Sequence, residues 1–107
     1  MTIVMNKKDF FVYLGDKGTE RIRFRFRTDK GIIVDLIVQL EILTNEKWNP
    51  VVRYDCSHGF FHRDILSPDG TKQKKVIDVP DLKYALSFAR QDIEDRWTWY
   101  KEQYLKK

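Results

Sequence analysis

The stretch "ERIRFRFRT", residues 20–28, alternates without a break. In an extended chain Ile22, Phe24 and Phe26 fall on one face, and Arg21, Arg23, Arg25 and Arg27 on the other. "IIVDLIVQLEIL", 32–43, reads as the next strand. Between them Asp29-Lys30-Gly31 predicts a three-residue hairpin loop with Gly31 in the left-handed position. That register sets Phe26 opposite Val34, Phe24 opposite Leu36, Ile22 opposite Val38 and Arg25 opposite Asp35, so that apolar meets apolar and charge meets counter-charge. Ile33, Ile37, Asp35 and Glu41 then share the arginine face.

The rest of the chain extends the pattern. "FFVYL", 10–14, is a short strand closed by the turn "GDKG", and "TNEKWNP", 44–50, reads as a loop. "VVRYDCS" and "FFHRDIL" are strands joined at His58-Gly59. A two-residue loop there pairs Asp55 with His62 and Arg53 with Asp64 on one face, and leaves Val52, Cys56, Phe61 and Ile65 on the other. "SPDGT" is a turn, and "KQKKVID" a last strand. Residues 79–105 read as one helix, with Asp78 as N-cap and Pro80 in the first turn. Its apolar stripe is Leu82, Leu86, Ala89, Ile93, Trp97, Tyr100 and Tyr104, and Asp92–Arg96 is an i,i+4 pair. Tyr84, Phe88 and Trp99 lie off the stripe and suit a protein contact better than base stacking. A run of strands followed by one long helix predicts an α+β fold. We expect an antiparallel meander of about five to six strands with the helix across one face, in a single domain over residues 1–107.

Composition adds bounds. The 107 residues are 42% hydrophobic, enough for a small core. No apolar run reaches the length of a membrane span, and "MTIVMNKKDF" is not a signal peptide. The single cysteine excludes an internal disulfide, and together these features suggest the cytoplasm. A net charge of +4 suits an anionic partner without demanding one. Arg21, Arg23, Arg25 and Arg27 could form an anion-binding surface, or be held in surface ion pairs with Asp35 and Glu41. Ile33 and Ile37 on the same face suggest an apolar cover such as a second subunit, and hence a homodimer.

Candidate chemistry concentrates in "VVRYDCSHGFFHRDILSPDG", residues 51–70. Metal-independent RNA cleavage needs a base, an acid and a cation at the phosphate. His58 and His62 could supply base and acid, with Asp55 orienting His62. Arg53, Arg63 or Lys74 could hold phosphate. A zinc set of Asp55, Cys56, His58 and His62 is disfavoured, because alternation sends Asp55 and Cys56 to opposite faces; no metal or other cofactor is expected. Cross-strand pairing alone also accounts for the same residues.

The pattern R-Y-D-x-x-H-G-x-x-H-R-D, followed by a P-D-G turn, resembles a family of small uncharacterised prokaryotic proteins. More distantly it is similar to the "RYDN-x-H…H" segment of TumE-like toxins of toxin–antitoxin pairs. Cys56 stands where those toxins tend to have Asn, and Arg63-Asp64 follows His62 where they tend to be richer in His. The resemblance singles out Arg53, Tyr54, Asp55, His58, His62, Arg63 and Asp64. It implies a protein that binds or cleaves RNA, with a cognate antitoxin as partner. The alternative is a non-catalytic interaction module.

Overall fold

A computed structural model describes residues 5–56 and 59–107. Six strands, β1 (Met5–Tyr13), β2 (Glu20–Asp29), β3 (Ile32–Thr44), β4 (Lys47–Asp55), β5 (His62–Leu66) and β6 (Lys72–Val76), precede one helix, α1 (Leu82–Leu105). The strands form one sheet in chain order, every neighbour antiparallel. This is the expected α+β meander with a C-terminal helix. Among the described residues no helix is long and apolar enough to cross a membrane.

The arginine hairpin has the expected faces but a different register. Its turn has two residues, Lys30 (φ 50°) and Gly31 (φ 79°), both left-handed as such a tight hairpin requires. Carried along the strands, that turn alone would set Phe26 against Asp35. A bulge at Val34 absorbs the mismatch: Thr28 faces Ile33, while Arg27 faces Asp35. Beyond it Phe26 faces Leu36, Phe24 faces Val38, Ile22 faces Leu40 and Arg25 faces Ile37. The expected partners are thus displaced by two residues, which preserves the faces and changes every pair. The bulge also turns Ile33 towards the core, so only Ile37 of the two isoleucines stays with the arginines.

The 44–50 segment is a second tight hairpin rather than a loop, with Asn45 (φ 51°) and Glu46 (φ 64°) at its turn. Pro50 is tolerated in β4 because a second bulge lies there: Leu40 faces Val52 and Glu41 faces Pro50, leaving Val51 over. β1 starts five residues earlier than the apolar run announces, since Met5–Asp9 pair with β2 although Asn6–Asp9 are polar.

One face of the sheet is covered by α1. Ile22, Phe24, Leu36, Val38, Leu40, Val52 and Tyr54 are buried against Ala85, Ala89, Ile93 and Tyr100. The small side chains Ala85 and Ala89 let the helix approach closely. The N-cap is Asp81, not Asp78: its carboxylate accepts from the Tyr84 amide at 2.7 Å, and Pro80 lies before the helix. At the far end Trp97 lies over Gly15, and Lys101 reaches the buried Glu20 carboxylate at 3.3 Å.

Candidate functional site on the uncovered sheet face

The second face of the sheet carries no helix. Alternation and register bring there Lys7, Asp9, Phe11 and Tyr13 from β1, the four arginines of β2, and Asp35, Ile37, Gln39 and Glu41 from β3. Arg53 and Asp55 of β4, His62 and Asp64 of β5, and Lys72 and Lys74 of β6 complete it. Among the described residues, five arginines with Lys7, Lys72 and Lys74 outnumber the carboxylates Asp9, Asp35, Glu41, Asp55 and Asp64.

At the centre these side chains form a chain across three strands. Arg53 Nε donates to Gln39 Oε1 at 2.6 Å, Gln39 Nε2 donates to Glu41 Oε2 at 2.6 Å, and Arg21 Nε donates to Glu41 Oε1 at 2.8 Å. The Arg21 guanidinium is held between the rings of Phe11 and Trp48, 3.8 Å from each centroid. Its charge is therefore largely committed to the protein.

Towards the β2–β3 turn the arrangement opens. Arg23 makes a two-bond fork to Asp9, at 3.2 and 3.1 Å, and this bond holds the Asp9 carboxyl below the usual carboxylate range. Arg25 reaches the same carboxylate only at 4.0 Å and is 53% exposed along its side chain. Arg27 lies 3.5 Å from Asp35, and its Nε is buried without a hydrogen-bond partner. Lys7, Arg25 and Arg27 line a recess of about 350 Å³ with Asp9, Asp35 and Ile37. The stripe is thus divided: Arg21 and Arg23 are hydrogen-bonded, while Arg25 and Arg27 are only loosely paired.

The β4–β5 hairpin has the expected register, with Asp55 facing His62 and Arg53 facing Asp64. Two of its side chains also reach elsewhere. Arg53 leans to β3, and His62 Nε2 lies 3.5 Å from Asp64 Oδ2 along its own strand. His62 is 2% exposed and Asp64 3%; the Phe60 ring and carbonyl pack against the imidazole. Asp64 Oδ1 is buried without a partner. His58 lies outside the described residues. Lys74 is exposed at the sheet margin.

Tyr54 and Arg63 lie on the other face, beneath α1. Tyr54 Oη and Tyr100 Oη both donate to Asp92 Oδ2 at 2.6 Å, and Arg63 Nη1 donates to Tyr100 Oη at 3.4 Å. Arg96 Nη1 closes the group on Asp92 Oδ1 at 3.3 Å. Burial and the Asp92 carboxylate push the Tyr54 phenol well up, and raise Tyr100 to about 12. Arg63 loses hydration by burial, but Tyr100, Tyr54 and Asp92 around it outweigh that loss and favour its charge.

Residues 5–107 match a family model described as a domain of unknown function, DUF7718. The chain belongs to the DUF7718 family. No curated protein and no solved structure matches it. The family match runs from the first residue of β1 to beyond α1, so both polar centres lie inside the DUF7718 domain. The residues singled out in the 53–64 motif divide between them, with Arg53, Asp55, His62 and Asp64 on the open face and Tyr54 and Arg63 under the helix. Gln39, Asp92 and Tyr100 are members that the motif did not indicate. Asp92 and Tyr100 had a faint signal, since positions 92, 96 and 100 share one helix face. Cys56 packs at the core margin with its thiol 3.6 Å from Asp35 Oδ1, and burial pushes its pKa up. Among the described residues no three His, Cys, Asp or Glu side chains are placed to share a metal ion.

Proposed function

We propose that the uncovered sheet face binds single-stranded RNA. The observation that carries this reading is the recess formed by Lys7, Arg25 and Arg27, where both arginines are half-exposed and only loosely paired with Asp9 and Asp35. Phosphate oxygens are suitable acceptors for them, and such contacts dominate nucleic-acid affinity. Phe11 and Tyr13 are exposed on the same face, within reach of bases that follow the strand direction. The resemblance of residues 53–64 to TumE-like toxins favours RNA over DNA. Binding, not cleavage, is the activity supported best, because the covered imidazole of His62 has no open path to a phosphodiester.

The test is fluorescence anisotropy with labelled oligouridine at several salt concentrations. Arg25→Ala/Arg27→Ala should weaken binding about tenfold and lower the salt slope by about 1.4, two single-strand phosphate contacts. An unchanged affinity and slope would remove the proposal. The recovered RNA is also run on a denaturing gel. Products that vanish in His58→Ala/His62→Ala would move the reading to a ribonuclease of the TumE-like kind, with an antitoxin as partner.

A second reading, a homodimeric interaction module, draws on Tyr84 and Trp99, which stay exposed on α1. Phe88 is partly engaged with Tyr54 and Phe61 beneath it. Light scattering on a sizing column measures the mass directly, and a monomer at high concentration would exclude this reading.

A further inference from the structure

We infer that the free edge of β6 is a docking strand for an extended acidic peptide of a protein partner, which adds as a seventh strand. This inference stands apart from the RNA reading, because it uses backbone groups at the opposite end of the sheet from the arginine recess.

β6 is the last strand of the sheet, and all five of its residues are exposed. The Ile77 amide donates to the Phe61 carbonyl at 2.9 Å, and the Ser67 amide to the Thr71 carbonyl at 2.9 Å. Antiparallel ladders alternate, so the backbone groups of Gln73 and Lys75 face β5, while those of Lys72, Lys74 and Val76 face outward. An extended peptide can satisfy those outward groups, which an RNA strand cannot do in register.

The charge of the edge selects the occupant. Lys72, Lys74 and Lys75 make it cationic along its length, and no carboxylate interrupts β6. Lysines on an edge strand repel a second copy of the same edge, which is their ordinary protective effect. The same charges attract a strand that carries carboxylates. β1, at the other edge, mixes Lys7 and Lys8 with Asp9 and lacks this selectivity.

β6 also ends in an apolar groove. Val34, Phe60, Val76, Ile77 and Val79 line a cavity of about 590 Å³, and Val76 and Phe60 are exposed in it. Asp78 and Asp81 stand at its margin and repel carboxylates. The peptide therefore has a polarity: acidic residues lie beside Lys72 and Lys74, and a large apolar residue enters the groove beyond Val76. Main-chain bonds supply a sequence-independent part of the affinity, while the lysines and the groove select the sequence.

The probe is a fluorescein-labelled eight-residue peptide that alternates Glu with Val and ends in Phe with an amidated C-terminus, measured by anisotropy against the full chain. Its Gln-for-Glu analogue should bind at least tenfold more weakly. Lys72→Gln/Lys74→Gln should abolish that preference. Lys74→Pro removes an outward N–H and no ladder bond, so it should weaken the peptide at least tenfold with unchanged thermal unfolding. If Lys74→Pro does not fold, a peptide N-methylated at the positions facing β6 tests the same bonds on the parent protein. Phe60→Ala should weaken the Phe-ended peptide and leave an Ala-ended one unaffected. Equal binding of the Glu and Gln peptides, no binding at millimolar concentration, or full binding of both the Pro variant and the N-methylated peptide overturns the inference. Competition by oligouridine at the β6 edge overturns it too, by assigning the edge to nucleic acid.

Discussion

The β4–β5 hairpin supplies polar groups to both faces of the sheet, and the two faces treat them differently. Beneath α1, Tyr54 and Arg63 enter a closed group in which one carboxylate, Asp92, accepts from both Tyr54 and Tyr100. On the open face, Arg53 joins a chain of hydrogen bonds that ends at Arg21, and the charges beyond it, at Arg25 and Arg27, are only loosely matched. A half-buried carboxylate surrounded by its donors holds the helix on the sheet, and its removal leaves those donors stranded. Loosely matched surface cations add little to stability and leave donors for a ligand. The comparison teaches that residues adjacent in one motif serve two purposes, divided by the two-residue period of a strand.

The largest expected effect breaks the helix-side centre. Asp92→Ala strands two phenols and weakens the seat of Arg63, at a cost of about 3 kcal/mol. In thermal unfolding this should lower the Tm by roughly 12–20 °C. Oligouridine affinity at a temperature where the variant is folded should stay unchanged. A larger loss of RNA binding than of stability would mean that the two centres are coupled.

His62→Ala is next, although His62 lies on the open face. It removes a fully covered ring that packs on Phe60 and contacts Asp64, at a cost of about 2 kcal/mol in urea unfolding. A neutral outcome would mean that the imidazole is free to reach solvent, which would revive its candidacy as an acid or base.

The tyrosines sharpen the comparison through pH. Tyr100 ionises at about 12 in the folded protein against an ordinary value of 10, and Tyr54 is raised as well. The folded state therefore favours the neutral phenols. That stabilisation is fully present below pH 10 and is lost as pH rises from about 10 towards 12. Phenolate absorbance should show Tyr54 and Tyr100 titrating above pH 10, together with alkaline unfolding. In Asp92→Asn this upward displacement should shrink.

The smallest effects belong to the open face. Arg25→Ala/Arg27→Ala should change unfolding stability by less than about 0.5 kcal/mol, even where it weakens RNA. At Asp9 the Arg23 fork lowers the carboxyl pKa, so its contribution is present above the ordinary value of 3.8 and disappears as pH falls through the folded value. An NMR titration of Asp9 should find a midpoint below 3.8, which moves up in Arg23→Ala.

Alternation in "ERIRFRFRT" and the apolar stripe of α1 were enough to assign the layers, and the short connections the order of the strands. The alternation of apolar and polar residues on both sides of residues 58–59 was enough for the β4–β5 register, while the expected two-residue loop falls partly outside the described residues. A period of two says which face a side chain takes, but not how far one strand slides along its neighbour. That offset in β2–β3 depended on a bulge at Val34, which reconciles a two-residue turn with Phe26 and Leu36 on the core face. Pro50 likewise marked a bulge inside a strand, where the chain reads as a loop.

The site was legible as a set of residues, and its division followed from alternation. What surrounds each residue was decided by the tertiary structure alone. Asp92 meets Tyr54 only because the helix docks across β3 and β4, a contact between residues 38 positions apart. His62 and Asp64 are buried on a face that carries no helix, with Phe60 packed against the imidazole. Local sequence determines direction and period. Enclosure is a property of the assembled fold, because it depends on groups that the chain brings together from afar.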